Sequence, residues 1–538
     1  MQRNGRSESV TPALSTGILA GAVVAVACAS SPVPARGDEN IGGDAQIVEV
    51  RTPVLFHPVD DPRRADGPAD AKIIRSRTVT VDLAQLLDLD PAGGQVARFN
   101  LFDDVDYDVV FERFEPISAE TSGWIGRVTG DVSGTFALVV VDDVVAVNIH
   151  TLQNGSYQVR YVADDVYTVI QVDPAAFPPC ANGADHIVGE QTAHVRNIAG
   201  DPPPAQPSGA KPAATGEIST SDDAPDDTQA LLQDQVIDVL VVYTSLARAA
   251  AGSTNAIKAL INLGALQAND AYVNSGSHQS LNLVYVGEID YTEPGSIDTA
   301  LDDLTDKHDG LMSEVHDLRG IYGADMVSLI IENTSFCGLA WVLTEPALES
   351  WHNWTFSAVR YDCVAGPNWS FAHELGHNMA CFHDRDNVSP EAPEPLHPWA
   401  YGFRFYGDSG TQWRTIMAYA PGNRIQYFSN PFVEYDGEFM GRPFGWEDPA
   451  DNARTLIRTA SFMLALREPV SSIAWVDLGA SGLEFGTFTY PYNTLTEGIN
   501  AVAAGGTVAV KSSSSSASRL LTKRMIVRAY DGSVILGH

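Results

Sequence analysis

The stretch His373-Glu374-Leu375-Gly376-His377-Asn378-Met379-Ala380-Cys381-Phe382-His383-Asp384 decides how this 538-residue chain is read. Residues i and i+4 of a helix share a face, so His373 and His377 can turn their rings towards a single ion. His383, six residues further on, can join them only if the helix stops and the chain doubles back. Three protein ligands with a fourth position open is the arrangement of a catalytic zinc, whereas a structural zinc is closed by four. Glu374 follows the first histidine and is placed to act on a water carried by that ion, whose pKa the metal lowers towards about 7. A histidine-rich surface helix is the plain alternative. The full pattern is much harder to meet by accident than its five-residue core.

The same residues resemble the metzincin zinc endopeptidases, whose extended motif is H-E-x-x-H-x-x-G-x-x-H followed by a Met-turn. Asp384 after the third histidine is similar to the reprolysin or adamalysin branch and its bacterial secreted relatives. So are Tyr427-Phe428-Ser429-Asn430-Pro431 and Ala450-Asp451-Asn452-Ala453-Arg454. Thr415-Ile416-Met417-Ala418-Tyr419 resembles the Met-turn, and the likeness covers about residues 235 to 468. It implies that His373, His377 and His383 bind Zn2+, that Glu374 is the general base, and that Met417 lies beneath the metal without binding it. Cys337-Gly338-Leu339-Ala340-Trp341 resembles the edge strand that runs along the cleft, where an extended substrate would pair by backbone hydrogen bonds. An ordinary strand end is the alternative. Tyr419 matches a tyrosine that in astacin-like and serralysin-like branches is a fifth ligand or steadies the oxyanion. As a cleft-wall or core tyrosine it needs no such role. The family's glycine after the second histidine is Ala380 here. Glycine is favoured at such helix ends because it takes positive φ freely, and alanine held there costs on the order of 1–2 kcal/mol.

The net charge of −35 and pI near 4.5 argue against nucleic acid or an anionic membrane as partner. Some of the carboxylates are candidate Ca2+ ligands, although no D-x-D-x-D-G loop says which. At the N-terminus Arg3 and Arg6 precede an apolar run that ends in small residues, so residues 1–29 are expected to be a secretory signal peptide. Cys28 leaves a lipid anchor as the alternative to free secretion. No later stretch reaches the roughly 18 uninterrupted apolar residues of a membrane span. Nothing in the sequence speaks to oligomeric state.

A chain this long exceeds one ordinary core, and its character changes along its length. Residues 46–180 carry short alternating or apolar runs expected to be β-strands with one buried face. They stand where relatives of the resembled family carry an inhibitory propeptide. Cys180 is the candidate for a cysteine switch, because a thiolate in the open coordination position would exclude water. A disulfide or an idle thiol are the alternatives, and sequence alone does not pair Cys180, Cys337, Cys363 and Cys381. Residues 181–233, rich in Pro, Ala, Asp, Ser and Thr, read as a disordered linker. Residues 234–469 alternate strand and helix, including a helix expected over Asp306 to Gly320. They predict a mixed sheet covered by helices, so the chain as a whole is α+β and multidomain. Residues 470–538 carry short strands and polar turns similar to the opening coils of parallel β-helix proteins.

The reading is a secreted zinc endopeptidase made as a latent zymogen, acting on proteins or peptides. The alternative is a catalytically weak or inactive metzincin-like protein that binds or adheres, kept open by Ala380 and by the C-terminal segment.

Overall fold

The computed structural model describes residues 53–59, 70–88, 94–118, 120–131, 133–151, 155–181, 235–344, 351–389, 392–464, 466, 473–481, 486, 488, 491–502, 506–515 and 525–536. The expected signal peptide, Cys28 and nearly all of the expected linker lie outside the described residues.

Nine strands form one antiparallel N-terminal sheet. They are β1 (Phe56–Pro58), β2 (Ile73–Val81), β3 (Val96–Phe102), β4 (Val105–Pro116), β5 (Thr121–Val128), β6 (Thr135–Val141), β7 (Val144–Thr151), β8 (Gly155–Ala163) and β9 (Val166–Val172), in spatial order 1-2-9-8-7-6-5-4-3. Side chains alternate across a strand, and here both faces find partners in the middle of the sheet. Phe136, Leu138, Val140, Val145 and Val147 join the sheet's own core with Phe99 and Phe111. Ala137, Val139, Val141, Val144 and Ala146 belong instead to the core of the following α/β layer. One buried face was expected of these strands. The second explains why β6 and β7 read as nearly unbroken apolar runs. Asp142, with φ of 53°, turns the chain between them, a conformation that Asp tolerates better than most residues.

The α/β layer is a five-stranded sheet of β10 (Gln235–Tyr243), β11 (Gln279–Glu288), β12 (Met326–Ile331), β13 (Gly338–Ala340) and β14 (Phe356–Arg360). Its order is 11-10-12-14-13, with the first four parallel and β13 antiparallel on the edge. Helix α1 (Thr254–Asn274) is capped by Ser253, whose hydroxyl accepts from Ala256 N at 3.1 Å. It is buried nearly all round because the N-terminal sheet covers the side that its own sheet leaves open. Polar bonds fix this contact: Gln267 accepts from Gly366 N at 2.8 Å and from Asn148 Nδ2 at 3.0 Å. Lys72 of the N-terminal sheet pairs with Asp362.

The helix expected over 306–320 begins only at Ser313, as α3 (Ser313–Tyr322), and a helix that was not expected, α2 (Ile297–Thr305), ends just before Asp306. The Asp306 and Asp309 carboxylates accept from His308 N and Leu311 N, each at 2.8 Å, and these local bonds compete with the helical ladder. Helices α4 (Ser370–Asn378) and α5 (Asn452–Met463) follow. In the C-terminal segment three parallel strands, Ile473–Val476, Thr507–Ser515 and Ile526–Leu536, form one sheet. Trp475 is fully buried there against Tyr322 of α3, with ring centroids 5.3 Å apart.

Candidate active site

Helix α4 ends in two crossed hydrogen bonds: Cys381 N donates to Gly376 O at 2.9 Å, and Ala380 N donates to His377 O at 3.0 Å. That pair is the Schellman closure, which needs a left-handed residue, and Ala380 supplies it with φ of 70°. The cost expected from the sequence is therefore present in the fold. Ala380→Gly should relieve about 1–2 kcal/mol of backbone strain while losing about 0.8 kcal/mol of buried methyl. The expected result is a melting temperature raised by a few degrees, checked by thermal unfolding of both forms. An unchanged or lower value would mean that the alanine is not strained.

The turn brings His383 back beneath the helix. Its Nε2 lies 3.2 Å from His373 Nε2 and 3.0 Å from His377 Nε2. His373 Nδ1 lies 2.9 Å from Ile416 O, and His377 Nδ1 lies 2.7 Å from Cys381 O. A carbonyl accepts only, so both Nδ1 atoms carry the proton and both Nε2 atoms present bare lone pairs. The main chain of Asn387 serves His383 in the same way. Three converging lone pairs repel one another, and a cation between them reverses that repulsion. With Zn–N bonds of about 2.0–2.1 Å, tetrahedral nitrogens stand about 3.3–3.4 Å apart, close to the spacing here. Burial pushes His377 down to about 4, and burial with the neighbouring rings pushes His373 and His383 well below the imidazole range. All three are neutral at pH 7, as ligands must be. The residues fit zinc.

Glu374 is buried beside them, and among the described residues its Oε1 has no hydrogen-bond partner. Burial pushes its carboxyl up to about 8 against the opposing pull of Cys180 and Arg424. Gly338 of the edge strand makes room for it, since a Cβ there would fall 2.3 Å from Glu374 Oε1. Met417 is fully buried under α4, its Sδ 2.9 Å from where a Cβ on Gly376 would stand. The Met-turn also orients a ligand, through the Ile416 carbonyl bonded to His373.

Cys337 and Cys363 form a disulfide that ties the edge strand to the segment before α4. Cys180 and Cys381 are free and buried. Cys180 is therefore not disulfide-bonded, and it lies in the cleft. Its ligand atom and those of His373 and Glu374 all lie within 4.8 Å of one another. Cys337 N donates to Pro179 O at 3.0 Å, and Ala181 N donates to Gly338 O at 2.8 Å. Residues 179–181 thus lie along the edge strand. The Tyr419 ring packs on His383 with centroids 4.2 Å apart, and its hydroxyl donates to Cys180 O at 3.0 Å. The sequence reading missed Gly338 as the neighbour of Glu374, and it missed Arg424. Arg424 is the only charged residue in the 420–427 loop after the Met-turn, which was the available signal.

Residues 233–429 match the Reprolysin_5 family, described as metallo-peptidase family M12. The chain is 37% identical over 234 residues to the peptidyl-Asp metalloendopeptidase of Stenotrophomonas maltophilia (strain R551-3), covering 43% of this chain and 52% of that one. It is also 37% identical over 236 residues to the protein of the same name from Xanthomonas campestris pv. campestris, again 43% and 52%. A third relative so named, from Pseudomonas fragi, is 29% identical over 204 residues, 37% of this chain and 100% of the relative. The chain spans about half the length of the first two relatives.

Proposed function

From a chain that carries a metzincin-type zinc metallopeptidase domain of family M12 at residues 233–429, we propose a secreted endopeptidase made in a latent form. The observation that carries the proposal is the convergence of three neutral Nε2 atoms beside a buried carboxylate with a free lone pair. Zinc, when bound by His373, His377 and His383, polarises the scissile carbonyl and renders water nucleophilic near neutral pH. Glu374 takes the proton from the attacking water and passes it to the leaving amine. The edge strand at Cys337 and Gly338 holds the substrate backbone where residues 179–181 now lie. Tyr419 donates to the developing oxyanion with the hydroxyl that now meets the Cys180 carbonyl.

The N-terminal sheet is the propeptide in this reading, and Cys180 is its plug. Secretion rests on the charge and apolar pattern of residues 1–29, with lipid attachment at Cys28 as the alternative. The relatives' names suggest a preference for peptide bonds at Asp, supported by 37% identity across the catalytic region. For calcium, the only groups of three or more ligating side chains among the described residues are His373–His377–His383 and Cys180–His373–Glu374, both at this centre.

Metal removal tests the reading. The processed protein should carry about one zinc per chain, lose peptide hydrolysis on dialysis against a strong chelator, and regain it with stoichiometric zinc. Full hydrolysis by the metal-free protein would exclude the mechanism. No hydrolysis by the zinc-loaded protein would favour a binding or adhesion role.

A further inference from the structure

Arg424 is 9% exposed and has no part in the chemistry described so far. Its Nη1 donates to Asn368 O at 2.7 Å and its Nη2 lies 3.3 Å from Ala418 O. The guanidinium therefore spans from the segment before α4 to the Met-turn. Its Nε has no acceptor, and no carboxylate lies within ion-pair distance, among the described residues. Arg414 is its register partner on the neighbouring strand, and Arg414 in turn donates to the carbonyls of Gly422 and Ala418, each at 2.8 Å. Two like charges thus stand side by side, one of them buried, and their hydrogen bonds go to main-chain carbonyls. That arrangement is costly: a buried cation is ordinarily paired, and like charges directly opposite destabilise a strand pair. The cost is offset if the counter-ion arrives with a ligand.

The contact with Ala418 O says where that ligand lies, because the next residue, Tyr419, meets Cys180 O with its hydroxyl at 3.0 Å. The charges of Cys180, Tyr419 and Glu374, along the path of segment 179–181, also reach the guanidinium. Pro179-Cys180-Ala181 offers no carboxylate, so the segment in the cleft gives the guanidinium no ion pair. We infer that Arg424 is a specificity residue that pairs with an acidic side chain adjoining the scissile bond, Arg414 adding to the positive field. This rests on the endopeptidase reading above. A planar fork with an open donor suits a carboxylate in a way that a lysine ammonium does not.

The test uses processed, zinc-loaded enzyme and matched peptides carrying Asp or Asn beside the scissile bond. The quantity read is the Asp/Asn ratio of kcat/KM within one preparation, so the fraction of folded enzyme cancels. The parent ratio should be on the order of 10- to 100-fold, the size of a charge-assisted hydrogen bond. Arg424→Gln should bring it to within about threefold of unity. Should that variant not fold, Arg424→Lys serves: a point charge without the fork should lower the ratio at least about threefold. A parent-like ratio in either folded variant overturns the inference, as does a parent that cleaves both peptides equally. A parent that cleaves neither removes the endopeptidase reading, and this inference with it.

Discussion

Glu374→Gln should lower kcat/KM by on the order of 10²- to 10⁴-fold, the range that a positioned general base supplies. The amide keeps the size and planarity of the carboxyl, so it should occupy the same space beside Gly338. What it loses is the ability to accept a proton. The unpartnered Oε1 lone pair is the atom that would receive it, and Gln has no basic atom there. The fall should appear in kcat with KM little changed, because in the proposed binding mode the edge strand, and not this side chain, holds the substrate backbone. Zinc content should be unchanged, since the three histidines keep their carbonyl partners at Ile416, Cys381 and the main chain of Asn387. Thermal stability should not fall either, because a buried carboxyl that burial already pushes up to about 8 is being replaced by a neutral group. Parallel measurement of kcat, KM, bound zinc and melting temperature checks the whole pattern. Comparable turnover by parent and variant would remove Glu374 from the mechanism.

How far the sequence could be read depended on how local each feature is. His373, Glu374 and His377 share one turn of helix, so spacing alone placed them. The return of His383 required a left-handed residue at position 380, and alanine stands there with φ of 70°. Strands β10, β11 and β12 of the parallel sheet were legible from apolar runs, whereas the short β14 was not. The break at 306–312 was not, because Asp306 and Asp309 bond their own backbone two residues on, which apolar periodicity does not register. Apart from Cys180, partnerships across the chain left little mark in the sequence. The Tyr419 hydroxyl meets the Cys180 carbonyl 239 residues away, and Gly338 clears space for Glu374 only once the edge strand crosses α4. The pairing of Arg414 with Arg424 likewise depends on strand register. The apolar runs of β6 and β7 marked them as strands, but the helix that covers their second face belongs to another layer.

Cys180→Ala in the unprocessed chain should raise peptidase activity by at least about tenfold, because among the described residues before β10 its thiol is the ligand atom that comes close to the histidine triad. In the absence of metal, burial pushes that thiol well above its usual range, with Glu374 acting in the same direction. Zinc in the histidine triad would favour the thiolate instead, as it does for any coordinating thiol. The gain should nevertheless stop short of the processed enzyme. Two main-chain bonds to Cys337 and Gly338 and the Tyr419 bond to the Cys180 carbonyl survive the substitution, so residues 179–181 still lie along the edge strand proposed to take the substrate. The segment would change from a ligand-held plug to a weaker competitive inhibitor, and activity should then rise further when the 181–233 segment is cut and the sheet released. Treating the parent with an organomercurial should reproduce the first step, since it blocks the sulfur and leaves the backbone bonds in place. Assaying parent, variant, mercurial-treated parent and processed enzyme on one peptide separates the two contributions. No gain from either loss of the thiol would leave the backbone contacts as the whole of the latency and return Cys180 to the standing of an idle buried thiol.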